Sequence, residues 1–186
     1  MALRHHGADP ATIVAMAIPP RTNTALVASP VVRALRFEDV PEALRVVGRA
    51  VEHGCRWHYG RAQRDAVYAS YASHLFVEAL GPFESWVAER GGRTVGVAQL
   101  DPADGRLRAL FVDAGDQQRG IGRALLAEVE ALARRRGLGR LHGAMSLNAV
   151  PFYERAGFRA AAGVERLVSA RIAIPILRME KSLTSQ

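Results

Sequence analysis

Only one cysteine, Cys55, occurs in the 186 residues, so neither an internal disulfide nor a cysteine-rich zinc site can form. Lysine is equally scarce: Lys181 is the single lysine among 25 basic residues, and the rest are arginines. No apolar run nears the ~20 residues of a membrane helix, because the best stretch, Ala11 to Ile18, stops at Pro19 and Pro20. That stretch also lacks the small-residue cleavage pattern of a secretory leader. Aromatic residues make up 6% of the chain, and no block interleaves them with basic side chains. The net charge of +7 therefore argues more for arginine-rich coding than for nucleic-acid binding. No spacing among the six histidines suggests a metal. The expectation is a cytoplasmic chain with neither a membrane partner nor a metal.

What is present points to one globular domain, with 49% apolar and 23% charged residues over a length that can bury a sizeable core. Residues 1–30 show little periodicity, carry Pro10, Pro19, Pro20 and Pro30, and are expected to form a flexible tail ahead of a domain spanning 31–184. Val31 to Leu35 reads as a strand, Asp39 as an N-cap, and Val40 to Ala50 as a helix with Val40, Leu44 and Val47 on one face. A second helix is expected from Ala62 to Leu80, with Tyr68, Tyr71 and Leu75 as a packing stripe. Gly91 and Gly92 link Glu84–Glu89 to Thr94–Leu100 in a hairpin, and Asp104 with Gly105 turns the chain into Leu107–Val112. The period then changes to helical, with Ile121, Leu125, Val129 and Leu132 on one face between Gly120 and Arg136, and Gly137 as its left-handed cap. Arg140 to Ala144 returns to strand, Asn148 starts a short helix ending at Gly157, and Phe158 and Ile172–Met179 supply closing strands.

The strand Leu107–Val112, the segment Asp113–Gln118 and the helix opening at Arg119, Gly120, Ile121 and Gly122 present unpaired backbone amides, which suit an anion. One helix terminus contributes only about 0.3–1 kcal/mol. A bound diphosphate would need several amides and the guanidinium of Arg119 or Arg123 as well. A Walker A loop is excluded, since Arg123 and Ala124 follow Gly122 where Lys and Ser or Thr are required. The dinucleotide fingerprint fails because its third small position falls on Leu125. Alone, this loop is as consistent with a helix packed closely on a strand as with an anion site.

A second motif, Ala149-Val150-Pro151-Phe152-Tyr153-Glu154-Arg155-Ala156-Gly157-Phe158, follows the strand that ends near Met145. With it, the chain from Val31 to Leu183 resembles the GCN5-related N-acetyltransferase (GNAT) superfamily. Gln117, Gly120 and Gly122 match the family's pyrophosphate loop, and Phe152, Tyr153, Gly157 and Phe158 match its second signature. The resemblance implies an α/β fold with a mixed, mostly antiparallel sheet of six to seven strands. That sheet would be splayed between strands 4 and 5 and flanked by about four helices. It implies acetyl-CoA in the gap, its pantetheine arm on the backbone of Leu110, Phe111 and Val112. Its pyrophosphate would lie on amides of Gln118, Arg119, Gly120, Ile121, Gly122 and Arg123, with Gln117 and Phe152 beside it. The family's catalytic tyrosine falls on Tyr153, a phenol of ordinary pKa about 10 suited to protonating the departing thiolate.

Two positions depart from the pattern. Where many members carry Asn three residues before Ala149 this chain has Ser146, and Asn148 stands one residue before Ala149, so a cofactor contact and a helix cap both stay open for it. No general base is evident. Glu84, acting through an ordered water, is the candidate. His58 and Tyr59 begin the helical region that walls the acceptor site in such folds, although a solvated helix start would also account for them. Trp57 and Trp86 are expected to pack, and His74 and His142 to be ordinary surface or core histidines. The implied activity is acetyl transfer from acetyl-CoA to a primary amine, small molecule or peptide, by direct attack in a ternary complex. The alternative is a non-catalytic acyl-CoA binding or regulatory module of the same fold. A homodimer is left open.

Overall fold

A computed structural model describes residues 29–78, 81–169 and 171–183. Residues 1–28 of the expected tail, Leu80 and the side chains of His74 and Leu75 lie outside the described residues or side chains. Seven strands form one sheet in the order β1 (Val31–Ala34), β2 (Glu84–Arg90), β3 (Arg93–Asp101), β4 (Arg106–Val112), β5 (Arg140–Ser146), β7 (Ile172–Ser182), β6 (Arg159–Ser169). All neighbours are antiparallel except β4 and β5. Gly91 and Gly92 both take positive φ, which is what a two-residue hairpin twisting with its strands requires.

Helices cover both faces. On one, α3 (Ile121–Arg135) seats Ile121, Leu125, Val129 and Ala133 against Trp86, Ala88, Val95 and Leu100. Its approach is close because β3 carries Gly96: a Cβ there would come within 2.8 Å of Leu125 and 2.9 Å of Ile121. On the other face, α1 (Val40–Arg49) packs Ala43, Val46 and Val47 on Val97, and α2 (Arg61–Glu78) adds Ala66 to a third cluster with Cys55, Tyr59, Ile174 and Ile176. Between α1 and α2, residues Ala50–Gly54 widen into a π-helical turn. The short α4 (Val150–Arg155) follows β5. β3 is buried on both faces from Thr94 to Leu100 and apolar there apart from Thr94 and Gln99, whose side-chain amide donates to Ser85 Oγ at 3.1 Å.

Three expectations need correction. Asp39 does not cap α1; its carboxylate accepts the Arg36 amide at 2.7 Å and grips Arg33 instead. Tyr68 is 39% exposed, its ring lying against Gly48 of α1 rather than in the core, and Trp57 is 80% exposed, with the Arg56 guanidinium 4.8 Å above its ring. Trp86 packs as expected.

Arg33 holds the first strand to the sheet. It donates to both oxygens of buried Asp39, at 2.6 and 2.8 Å, and also to Glu89. The Arg33 hydrogen bonds, helped by the Arg36 amide and opposed by burial, hold the Asp39 carboxyl below its ordinary value. Because that value is lowered in the folded state, the stabilisation is complete above the unfolded value of about 3.9 and is lost as pH falls through the folded one. Arg33→Met is expected to cost about 2–4 kcal/mol at pH 7, since it strands a buried carboxylate. Urea unfolding at pH 7 and pH 3 checks this, with the difference from the unaltered chain shrinking at the lower pH.

Candidate active site

β4 and β5 touch at only one end. Arg106 pairs with His142, the His142 amide donates to Gly105 O at 3.1 Å, and Gly143 lies so near that a Cβ would meet Leu107 O at 2.8 Å. Beyond this point the parallel strands diverge, and β4 keeps ladder partners only on its β3 side, from Gly96↔Val112 to Asp101↔Arg106. The edge formed by Leu110, Phe111 and Val112 is therefore open toward the gap, as an added extended segment would need.

At the mouth of this gap, β4 runs into the loop Asp113–Gly120. Gly120 at φ 80° starts α3, and Gln118 also takes a positive φ of 61°. The first intrahelical bond runs from Ala124 N to Gly120 O, which leaves the amides of Ile121, Gly122 and Arg123 as the unpaired donors of a helix start. Gly122 faces the ring of Phe152, where a Cβ would sit 3.3 Å away, so the helix start and α4 approach closely. Gln117, Gln118, Arg119, Gly120 and Arg123 are exposed, and Gln117 donates to Val112 O at 3.3 Å.

Two residues that the sequence reading passed over hold this loop. Asp113 is buried, accepts the Gly115 amide at 3.1 Å and pairs with Arg45 and Arg49, both at 3.3 Å. Asp116, also buried, binds Arg90 at 2.9 Å, and Arg93 and Arg119 at 3.4 Å. The signal was available: acidic residues in a loop meant for an anion have to be neutralised, and arginines from α1 and the β2–β3 hairpin do so. The guanidiniums outnumber the two carboxylates, so the loop keeps a positive surround.

Behind the loop, a cavity of about 160 Å³ lies in the strand gap on the α1 and α2 side. Tyr153 of α4, 5% exposed, reaches it from one wall, and Tyr71 and Phe111, in edge contact at 4.8 Å, form another. Phe152 and Phe158 meet the Tyr153 ring edge-on at 5.1 and 5.2 Å and fix its direction. Burial, and secondarily the neighbouring Tyr71, push the Tyr153 phenol well above the usual tyrosine range. Among the described residues, no hydrogen bond engages its hydroxyl.

Tyr59 is the residue most changed from expectation. It is 4% exposed, and its hydroxyl donates to Pro175 O at 2.7 Å and accepts from Leu147 N at 2.8 Å. It thus staples the start of α2 to β7 and to the turn before α4, and lines the cavity as well. Asn148 does not cap α4; its Oδ1 accepts from Cys55 Sγ at 3.4 Å, which ties that turn to the end of the π-helical turn. Burial pushes the Cys55 thiol up, against smaller opposing effects of Arg64 and Asn148.

Glu84 is not brought to the site. Its side chain leaves the face that Trp86 and Ala88 share with α3, and Arg136 at the far end of that helix binds it at 3.0 Å. α3 has 15 residues, so this end lies about 22 Å from the glycine loop. None of the described residues lining the cavity is Asp or Glu.

Comparison with known proteins places this geometry. Residues 58–183 match the family model described as the acetyltransferase (GNAT) domain. Among solved structures, the GCN5-related N-acetyltransferase "Aminotransferase, Class-II" from Rhodopseudomonas palustris is 25% identical, with a TM-score of 0.77 over 84% of this chain and 97% of that one. The PaiA N-acetyltransferase of Thermoplasma acidophilum in complex with coenzyme A is 19% identical, with a TM-score of 0.68 over 83% and 99%. The ribosomal-protein-S18-alanine N-acetyltransferase of Escherichia coli is 20% identical, with a TM-score of 0.62 over 85% and 96%. No curated protein matches the sequence. The open β4–β5 gap, the glycine loop at its mouth and the matched domain lead to one conclusion: the chain belongs to the GNAT acetyltransferase family.

Proposed function

We propose that the protein is a cytoplasmic N-acetyltransferase that moves the acetyl group of acetyl-CoA onto a primary amine by direct attack in a ternary complex. The observation that carries this reading is Tyr153 in the cavity of a sheet that opens beside a helix start with unpaired amides. Amides of residues 118–123 and the nearby guanidiniums would hold the pyrophosphate, each charge-assisted contact contributing about 1.5–3 kcal/mol. Backbone groups of Leu110, Phe111 and Val112 would hold the pantetheine arm. A hollow between α3 and α4, edged by Arg123, Phe152, Arg155 and Lys181, suits the nucleotide end.

The amine nitrogen attacks the thioester carbonyl carbon, the carbon–sulfur bond of the resulting adduct breaks, and the departing thiolate takes the Tyr153 proton. The nitrogen loses its own proton to solvent, and the phenol is reprotonated from water. A phenol raised by burial is a weaker acid, but the same dry surroundings raise the basicity of the thiolate, so the two stay matched. With the proton of the nitrogen going to solvent, the neutral fraction of the amine sets the rate.

Initial rates with both substrates varied test the scheme: intersecting double-reciprocal lines are expected, and parallel lines would reveal an acetyl-enzyme instead. The pH profile carries a further prediction. kcat/KM rises with pH toward the pKa of the amine, and Tyr153, being raised, adds no alkaline fall below about pH 10. An alkaline limb near pH 8 that vanishes in Tyr153→Phe would contradict the raised phenol.

A further inference from the structure

We propose that the cavity beside Tyr153 is a pocket for straight-chain acyl groups from butyryl to hexanoyl, so that CoA thioesters bearing them bind more tightly than acetyl-CoA. This rests on the acetyl-transfer reading above, whose path for the CoA arm it extends. The Asp113 amide donates to Val95 O at 2.8 Å, so in the alternation of an antiparallel ladder the amides and carbonyls of Leu110 and Val112 point into the strand gap. The glycine loop stands at the outer end of β4. A CoA arm therefore runs from Val112 inward, and an acyl chain continues toward the end where β4 and β5 close at Arg106 and His142. The cavity extends along that line, as far as Leu107 and Met145.

Small side chains make its floor. Pairing of β3 with β4 slips between Gln99 and Leu100: Gln99 faces Ala109 and Leu100 faces Leu107, so Arg108 is the extra residue of a β-bulge. Leu107 packs on the α3 side of the sheet, whereas Phe111 packs on the α1 side, and Ala109, two residues before it, shares its face. Across the gap, Ala144 of β5 packs with Ile174 and Ile176 of β7. Two alanines on facing strands leave a hollow that larger side chains would fill. Several polar groups of the lining are taken up in its walls: Tyr59 and Cys55 by the bonds described above, and Arg64 by Glu52 and Tyr59 O. Arg108 stacks 4.0 Å from the ring centre of Phe83.

A cavity of about 160 Å³ is near the size that takes a benzene ring. Acetyl brings a single methyl group and leaves most of that space unfilled. Each further methylene buried there is worth about fourfold in affinity. An apolar part of the acceptor is the rival occupant, but it would enter from solvent and not along the CoA arm, so the two are separated by varying the donor alone.

The test is calorimetry on the full chain without acceptor, titrated with CoA and with its acetyl, butyryl, hexanoyl and decanoyl thioesters. Butyryl-CoA is expected to bind about 5- to 20-fold more tightly than acetyl-CoA, and the gain to end near hexanoyl, where the cavity is full. Ala144→Leu, which puts a larger side chain on the floor, is expected to cancel the gain, and Ala144→Val to reduce it. Thermal unfolding reports whether each variant is folded, and the donor series on the unaltered chain is decisive without them. Equal affinity for the acetyl and butyryl thioesters, affinity falling with chain length, or a rise that continues through decanoyl and survives Ala144→Leu would overturn the inference while leaving acetyl transfer intact. Failure of the unaltered chain to bind CoA itself would instead overturn the reading beneath it.

Discussion

Replacing Tyr153 by phenylalanine is expected to lower kcat by about 10²- to 10⁴-fold while leaving the affinity for acetyl-CoA within about twofold. The substitution keeps the ring, and with it the edge contacts to Phe152 and Phe158. It removes a hydroxyl for which no hydrogen bond is found among the described residues, so no partner there is left stranded. A stability loss large enough to mimic a catalytic one is therefore not expected, and thermal unfolding of the variant checks that point. What disappears is the hydroxyl proposed as the proton donor, on a residue that lines the cavity. The deficit should be larger for amine acceptance from acetyl-CoA than from a donor whose leaving group needs no protonation, such as an activated aryl thioester. An unchanged kcat would remove Tyr153 from the mechanism and leave it as a core aromatic.

Gly120→Asp is expected to weaken acetyl-CoA binding at least about 100-fold, and Gly120→Asn less than about tenfold. Gly120 adopts a φ of 80° at the first turn of α3, and nothing stands within 4 Å of the position a Cβ would take. Steric exclusion is therefore not the issue. Asn and Asp both tolerate the left-handed region better than other side chains, so the pair shares its backbone cost and differs in charge. The aspartate puts a carboxylate where the unpaired amides of Ile121, Gly122 and Arg123 would receive a pyrophosphate. Calorimetry on the three proteins reads the difference. Equal weakening by both variants would mean that the loop conformation, and not the anion site, is what Gly120 protects.

Much of this site could be read from the residues alone. The glycine loop and the aromatic motif are local in sequence, and each lies beside a change of hydrophobic period, so strand, loop and helix follow from position. The seven-strand sheet and its opening between β4 and β5 match the family resemblance that those motifs carry. What escaped is long-range. Asp116 is paired by Arg90 and Arg93 of a hairpin more than twenty residues away, and periodicity does not report such a pairing. Tyr59 sits at the start of a helix, where exposure is the ordinary condition, yet Pro175 and Leu147 from two distant elements bury its hydroxyl. Glu84, a carboxylate of the first hairpin strand, was the candidate base through an ordered water. The face of a strand on which a residue falls depends on register, and register turned Glu84 toward Arg136. Arg108 was visible as the charged residue of the strand expected over Leu107–Val112, but the bulge that aims it into the cavity is a property of strand pairing.

The central claim is that acetyl-CoA bound in the strand gap gives up its acetyl group to an amine. The most direct test incubates the full chain with acetyl-CoA and a panel of amines spanning amino acids, polyamines, aminoglycosides and a peptide N-terminus, and follows both products. The account predicts free CoA thiol and an acetylated amine, identified by mass spectrometry, appearing together and in equal amounts over many turnovers with at least one amine. Acetyl-CoA bound tightly, with no acetylated amine from any member of the panel, would contradict it and make the protein an acyl-CoA binding module on an acetyltransferase fold.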